Sequence, residues 1–151
     1  MERIERTALR NLIHNEEYSR KVLPFIKEDY FSDRLERLLF KEIYRFITKF
    51  NALPTKEALS IEINDSKDIT EDEYKKITDI IATLNPEKIN LEWLVETTEK
   101  FCKDRAIHNA ILSGIQIIDG KDKKHTPEYL PDLLSDALSV SFDQKVGHDY
   151  L

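Results

Sequence analysis

The chain has little of what builds sheets, disulfides or membrane spans. Three glycines and five prolines in 151 residues leave few positions for the tight turns that a strand-rich fold needs. The one cysteine, Cys102, can close no internal disulfide. That suits a reducing, cytoplasmic setting and a small buried hydrophobe on a helix. No run approaches the ~18 uninterrupted apolar residues of a membrane helix, and the N-terminus has no apolar signal core. Neither a membrane partner nor secretion is expected. None of Gly114, Gly120 and Gly147 leads into Lys-Ser/Thr, so a phosphate-cradling loop is excluded. His14, His108, His125 and His148 are scattered without zinc-site spacing and read as solvated or core side chains, with no metal expected. The stretch Asn64 to Asp68 starts like a calcium loop, but Ile69 and Lys75 stand where glycine and glutamate are required. A net charge of −6 argues against a protein that binds nucleic acid unaided, because phosphate contacts come from clustered Lys and Arg.

What is present is helical periodicity, with 40% apolar and 34% charged residues, in a chain long enough to bury a real core. Residues 2–14 put Ile4, Ala8, Leu12 and Ile13 on one side. Residues 16–26 form a shorter helix interrupted near Pro24, and Tyr30-Phe31 in the connector plug the core. Ser32 caps a helix running to about Phe50, with Leu35, Leu38, Leu39, Ile43, Ile47 and Phe50 inward. Leu53-Pro54-Thr55 opens a short helix at 56–63. Thr70 and Glu73 form a capping box before Tyr74, Ile77, Ile80, Ile81 and Leu84, with Glu71, Asp72 and Glu73 placed where the helix dipole favours acids.

Asn90 caps the longest helix, about 91–118, stopped by Gly120. At ~1.5 Å per residue it is about 42 Å long, against about 40 Å for a compact globule of this chain length. It must bend, break or project. Leu91, Leu94, Val95, Thr98, Phe101 and Cys102 share one face. Ile107, Ala110, Ile111, Gly114, Ile115 and Ile118 share another, turned by roughly 160°. A rod whose apolar stripe changes sides between Lys103 and Ala106 lies on one body with its first half and on another with its second. Pro131 opens a last helix bearing Leu134, Ala137, Leu138 and Phe142. It folds back on 107–118 as a hairpin, Ala110 and Gly114 permitting close approach. The fold expected is all-α: a compact helical bundle over 1–102, then a protruding helical hairpin over 103–142. Ile107, Ala110, Ile111, Gly114, Ile115, Ile118, Leu134 and Leu138 are the candidate subunit interface. The hairpin buries these faces either against other subunits or against its own bundle.

Arg34, Arg37, Lys41, Arg45 and Lys49 recur every three or four residues along helix 32–50. Two readings stand: a solvated face neutralised by Glu36 and Glu42, or a strip that meets an acidic partner or passing DNA. Residues 1–54 carry 11 basic and 9 acidic side chains, against 12 and 20 in the remainder. The final stretch is rich in apolar side chains (Phe142, Val146, Tyr150, Leu151), whereas terminal tails are polar. Residues 143–151 are therefore expected to begin a linker to a further domain.

The order of these elements resembles the N-terminal domain of DnaB-like replicative DNA helicases, above all those of T-even-type bacteriophages. The residues that carry the likeness are Tyr30-Phe31, Leu53-Pro54-Thr55, Trp93-Leu94-Val95 with Thr98-Glu99-Lys100, and Arg105-Ala106 with Asn109-Ala110. The tail adds Ala137-Leu138-Ser139, Ser141-Phe142-Asp143 and Val146-Gly147-His148-Asp149, which match the stretch before that family's linker. The likeness covers about residue 8 onward. It implies a hexameric ring that encircles the lagging-strand template and moves 5′ to 3′ while hydrolysing nucleoside triphosphate. It further implies an N-terminal collar in which hairpins join subunits as dimer pairs within the hexamer, and docking of primase or a helicase loader in the primosome. DNA is met only through the assembled ring. ATP and Mg belong to a RecA-like domain outside these residues, so no catalytic residue carries over. The alternative is a free-standing helical adaptor, such as a helicase loader or small phage regulatory protein.

Overall fold

A computed structural model describes residues 3–142, and among them every regular element is helical. Seven α-helices follow in order: α1 (Ile4–His14), α2 (Glu16–Val22), α3 (Arg34–Phe50), α4 (Lys56–Asn64), α5 (Glu71–Thr83), α6 (Leu91–Ile118) and α7 (Leu130–Leu138). Two short 3-10 turns, Glu28–Tyr30 and Pro127–Tyr129, join α2 to α3 and α6 to α7. The all-α expectation holds.

Local chemistry sets most of the boundaries. Thr70 and Glu73 close a reciprocal capping box on α5, Thr55 caps α4, and the Asn90 side chain accepts from the Trp93 N–H at the start of α6. Gly120, at φ +74°, ends α6. The Gly120 N–H donates to the Ile117 carbonyl and the Lys121 N–H to that of Gln116, which satisfies two carbonyls the helix leaves open. Three boundaries differ from the sequence reading. Helix α2 stops at Val22, two residues short of Pro24. Asp33, not Ser32, caps α3, its carboxylate taking the Glu36 N–H at 3.0 Å, while the Ser32 carbonyl accepts from Arg37. Phe142 lies beyond α7, which ends at Leu138.

The core of the body joins α1 to α6. Leu9, Leu12, Tyr18, Phe31, Leu39, Ile43, Leu59, Ile63, Ile77, Leu84 and Leu94 have their side chains fully out of water. Phe31 packs between Phe40 and Phe101, ring centroids 5.0 and 6.2 Å away, as the connector aromatics were expected to do. Tyr18 and Thr98 satisfy each other's hydroxyls across 2.8 Å, tying α2 to α6. Glu36 is buried between α3 and α1, held by Arg3 and by Arg6 at 2.9 Å. It does not neutralise the basic stripe. Phe50 points outward, 51% exposed, beside Phe46 and beneath Lys49.

Helix α6 runs unbroken for 28 residues. Its first half gives Leu94, Thr98, Phe101 and Cys102 to the body. Beyond Ala106 no side chain of α6 enters that core cluster. Ala110, Gly114 and Ile117 are buried instead in the seam with α7. The change of face read from periodicity is therefore a change of neighbour.

Candidate assembly face and its supports

The arm, the second half of α6 with α7, is a two-helix layer. A two-helix layer can bury only the seam between its helices. Gly114 sets how close they come: a Cβ built there would lie 3.2 Å from Leu130 Cδ2. With Ala110, Gly114, Ile117 and Ala137 buried and Leu130 set against Gly114, six large apolar side chains remain outside. Ile111, Leu112, Ile115, Ile118, Leu134 and Leu138 are all exposed, Ile118 most at 67%. Ile107 is half-buried.

The structure thus divides the eight candidate interface residues. Ile111, Ile115, Ile118, Leu134 and Leu138 lie together on an unpartnered arm. Ala110 and Gly114 are buried in the seam, inside the hairpin. Leu112 was missed. It neighbours Ile111 but points nearly a third of a turn away, so a single-face reading passes over it. The adjacent Ile-Leu pair was the signal.

The arm is secured where it leaves the body. Arg105 Nε donates to the Tyr30 carbonyl at 3.1 Å, and Asn109 Nδ2 to that of Asp29 at 2.9 Å, so the turn Glu28–Tyr30 braces the middle of α6, where the arm begins. The returning chain is held as well. The Glu99 carboxylate accepts from the Phe142 N–H at 2.9 Å and from Ser141 Oγ at 3.2 Å. The Phe142 ring stacks on Phe25, centroids 5.0 Å apart and planes 22° apart, and Val140 and Phe142 pack against the body's core. Glu99 on the edge of the apolar face formed by Val95 and Cys102 was the only hint of this in the sequence. At the far end Asp122 organises the turn, accepting from the Lys124 N–H at 2.7 Å and from the His125 ring at 3.1 Å. The His125 bond, more than any other cause, holds the Asp122 carboxyl below its usual range.

The basic stripe on α3 is met largely by the chain's own acids. Arg34 Nε bonds Glu73 at 2.7 Å, Arg45 reaches Glu42 and Glu62, and Lys41 lies 3.9 Å from Glu28. Arg37 is spent on the carbonyls of Phe31 and Ser32, and Lys49 sits over the Phe50 ring. Cys102 is buried, and burial, with Glu99 adding, pushes its thiol up to about 12, so it stays protonated and unreactive. Among the described residues no group of His, Cys, Asp and Glu is arranged to hold a metal ion, and no helix is long and apolar enough to cross a membrane. The expected linker residues Val146, Gly147, His148 and Asp149 lie outside the described residues.

The described residues thus hold a helical body and a braced hairpin with large apolar side chains exposed. The chain is indeed a relative of DnaB-like phage replicative helicases. It is similar to the DnaB-like replicative helicase of Enterobacteria phage T4, at 32% identity over an alignment of 151 positions that covers 95% of this chain and 32% of that protein. The chain thus spans about a third of the length of the curated relative it matches. No family model matches it.

Proposed function

We propose that this chain is the N-terminal collar domain of a DnaB-like replicative DNA helicase, and that its arm joins subunits at the replication fork. The observation that carries the reading is the cluster of Ile111, Leu112, Ile115, Ile118, Leu134 and Leu138 left open to water on a hairpin outside the core. Two such hairpins laid face to face make a four-helix bundle, and a twofold pair needs only one self-complementary surface. Each half-exposed aliphatic side chain gains about 1 kcal/mol on full burial. Association costs offset much of the sum, so pairing through the arm alone depends on concentration. In this reading ATP and magnesium belong to the ATPase portion of the parent protein, and DNA is met only through the ring. The body is the platform for primase or a helicase loader. Because the α3 stripe is already paired with Glu28, Glu42, Glu62 and Glu73, we place that platform away from a simple charge contact.

The test is the double substitution Ile111→Asp with Leu138→Asp, followed by light scattering across a concentration series. Each change puts a charge where the pair needs an apolar contact. The parent chain should grow from its 17.8 kDa monomer as concentration rises, and the variant should stay monomeric. Equal masses for the two chains at every concentration would defeat the proposal.

A further inference from the structure

Glu99, Ser141, Phe142 and Phe25 serve no chemistry in the reading above, yet they make the most elaborate contact between the returning chain and the body. Helix α7 is only nine residues long, too short to persist alone in water, and among the helices it packs on α6. The seam holds its inner side, and the turn Pro127–Tyr129 with Pro131 fixes its start. Its end is fixed by the four residues just named. Phe142 could have continued the helix, being four residues past Leu138. Instead the Glu99 carboxylate takes the Phe142 N–H and the Ser141 hydroxyl, and the Phe25 ring receives the aromatic side chain.

We propose that this cluster is a latch: by seating Ser141 and Phe142 on the body, it holds α7 in the position that presents Leu134 and Leu138 beside Ile111 and Ile118 to a second copy of this chain. The proposal rests on the arm-pairing reading and deepens it. The latch residues are positioning residues; none of them lies on the exposed face. A face that is assembled only part of the time binds more weakly in proportion to the fraction assembled. A pair needs both copies assembled, so that fraction enters squared. If losing the latch lowers the assembled fraction about threefold, pairing weakens about tenfold. Linkage also runs in reverse: pairing must stabilise the latched state.

Two variants test this, Phe142→Ala and Glu99→Gln, the second nearly isosteric and therefore safe for folding. Light scattering should show each pairing at about tenfold higher concentration than the parent, with unchanged circular dichroism of the body. Hydrogen exchange at the Phe142 amide of the parent should slow as concentration rises. If the parent pairs and Glu99→Gln, folded, pairs equally well with no concentration dependence in that exchange, the latch is wrong and the pairing reading survives. A parent that stays monomeric throughout defeats both.

Discussion

The body and the arm are built from similar helices and treat their apolar residues in opposite ways. In the body the large aliphatic and aromatic side chains of α1 to α5 turn inward until many have no exposed surface. In the arm the seam takes Ala110, Gly114 and Ala137 together with Ile117 and Leu130, and six large side chains, Ile111, Leu112, Ile115, Ile118, Leu134 and Leu138, are left outside. A globule that only had to fold would place them the other way round. The body is arranged for its own stability, and the arm gives up burial that a neighbour can restore.

The sharpest way to break this contrast is a matched truncation. Leu94→Ala, in the body half of α6, should cost about 2–5 kcal/mol of stability. Ile115→Ala, on the same helix but half exposed, should cost under about 1 kcal/mol. Denaturant unfolding followed by circular dichroism compares them, and equal losses would erase the distinction. The next effect is smaller and confined to the arm. Gly114→Val forces side-chain atoms into the space that Leu130 occupies, and such overpacking costs about 1–3 kcal/mol. Hydrogen exchange should speed up across α7 while the amides of α1 stay protected; loss of protection in both regions would mean that they fold as one unit. The smallest effect is at the arm's tip. The bonds to Asp122 favour its ionised form, so its folded-state pKa lies below the ordinary 3.8. The stability this brings is present above 3.8 and lost as pH falls through the lower folded value. An acid titration by NMR should therefore move the Lys124 and His125 amides late, after exposed carboxyls have titrated. Movement at or above the ordinary value contradicts the turn.

Much of this was readable from the residues because local signals agreed with the tertiary arrangement. Thr70 with Glu73, Asn90 and Gly120 each act within four residues of themselves, so spacing alone identified them. The switch of face along α6 was legible because a 3.6-residue period registers any change of neighbour. What escaped depended on partners far along the chain. Glu36 looked like a surface acid until Arg3, just ahead of α1, and Arg6 of α1 closed over it. Ser32 and Asp33 are both good caps, a choice that spacing leaves open, and it is Asp33 that takes the Glu36 N–H. Phe142 carried helical spacing from Leu138, and only Glu99, more than forty residues earlier, redirects its N–H. Phe50 kept the apolar period of α3 past the point where the body ends.

The unbroken passage of α6 from body to arm also dictates how the chain can tolerate change. Between Lys103 and Ala106 the count of residues matters beyond the one side chain, Arg105, that holds the Tyr30 carbonyl. One residue inserted there swings everything beyond it by about 100° about the helix axis and moves it ~1.5 Å along. The bonds from Asn109 to Asp29 and from Phe142 to Glu99 would be lost together, and Ile111 and Ile118 would point where Leu112 and Asp119 now do. In that short stretch, length sets the heading of the whole arm.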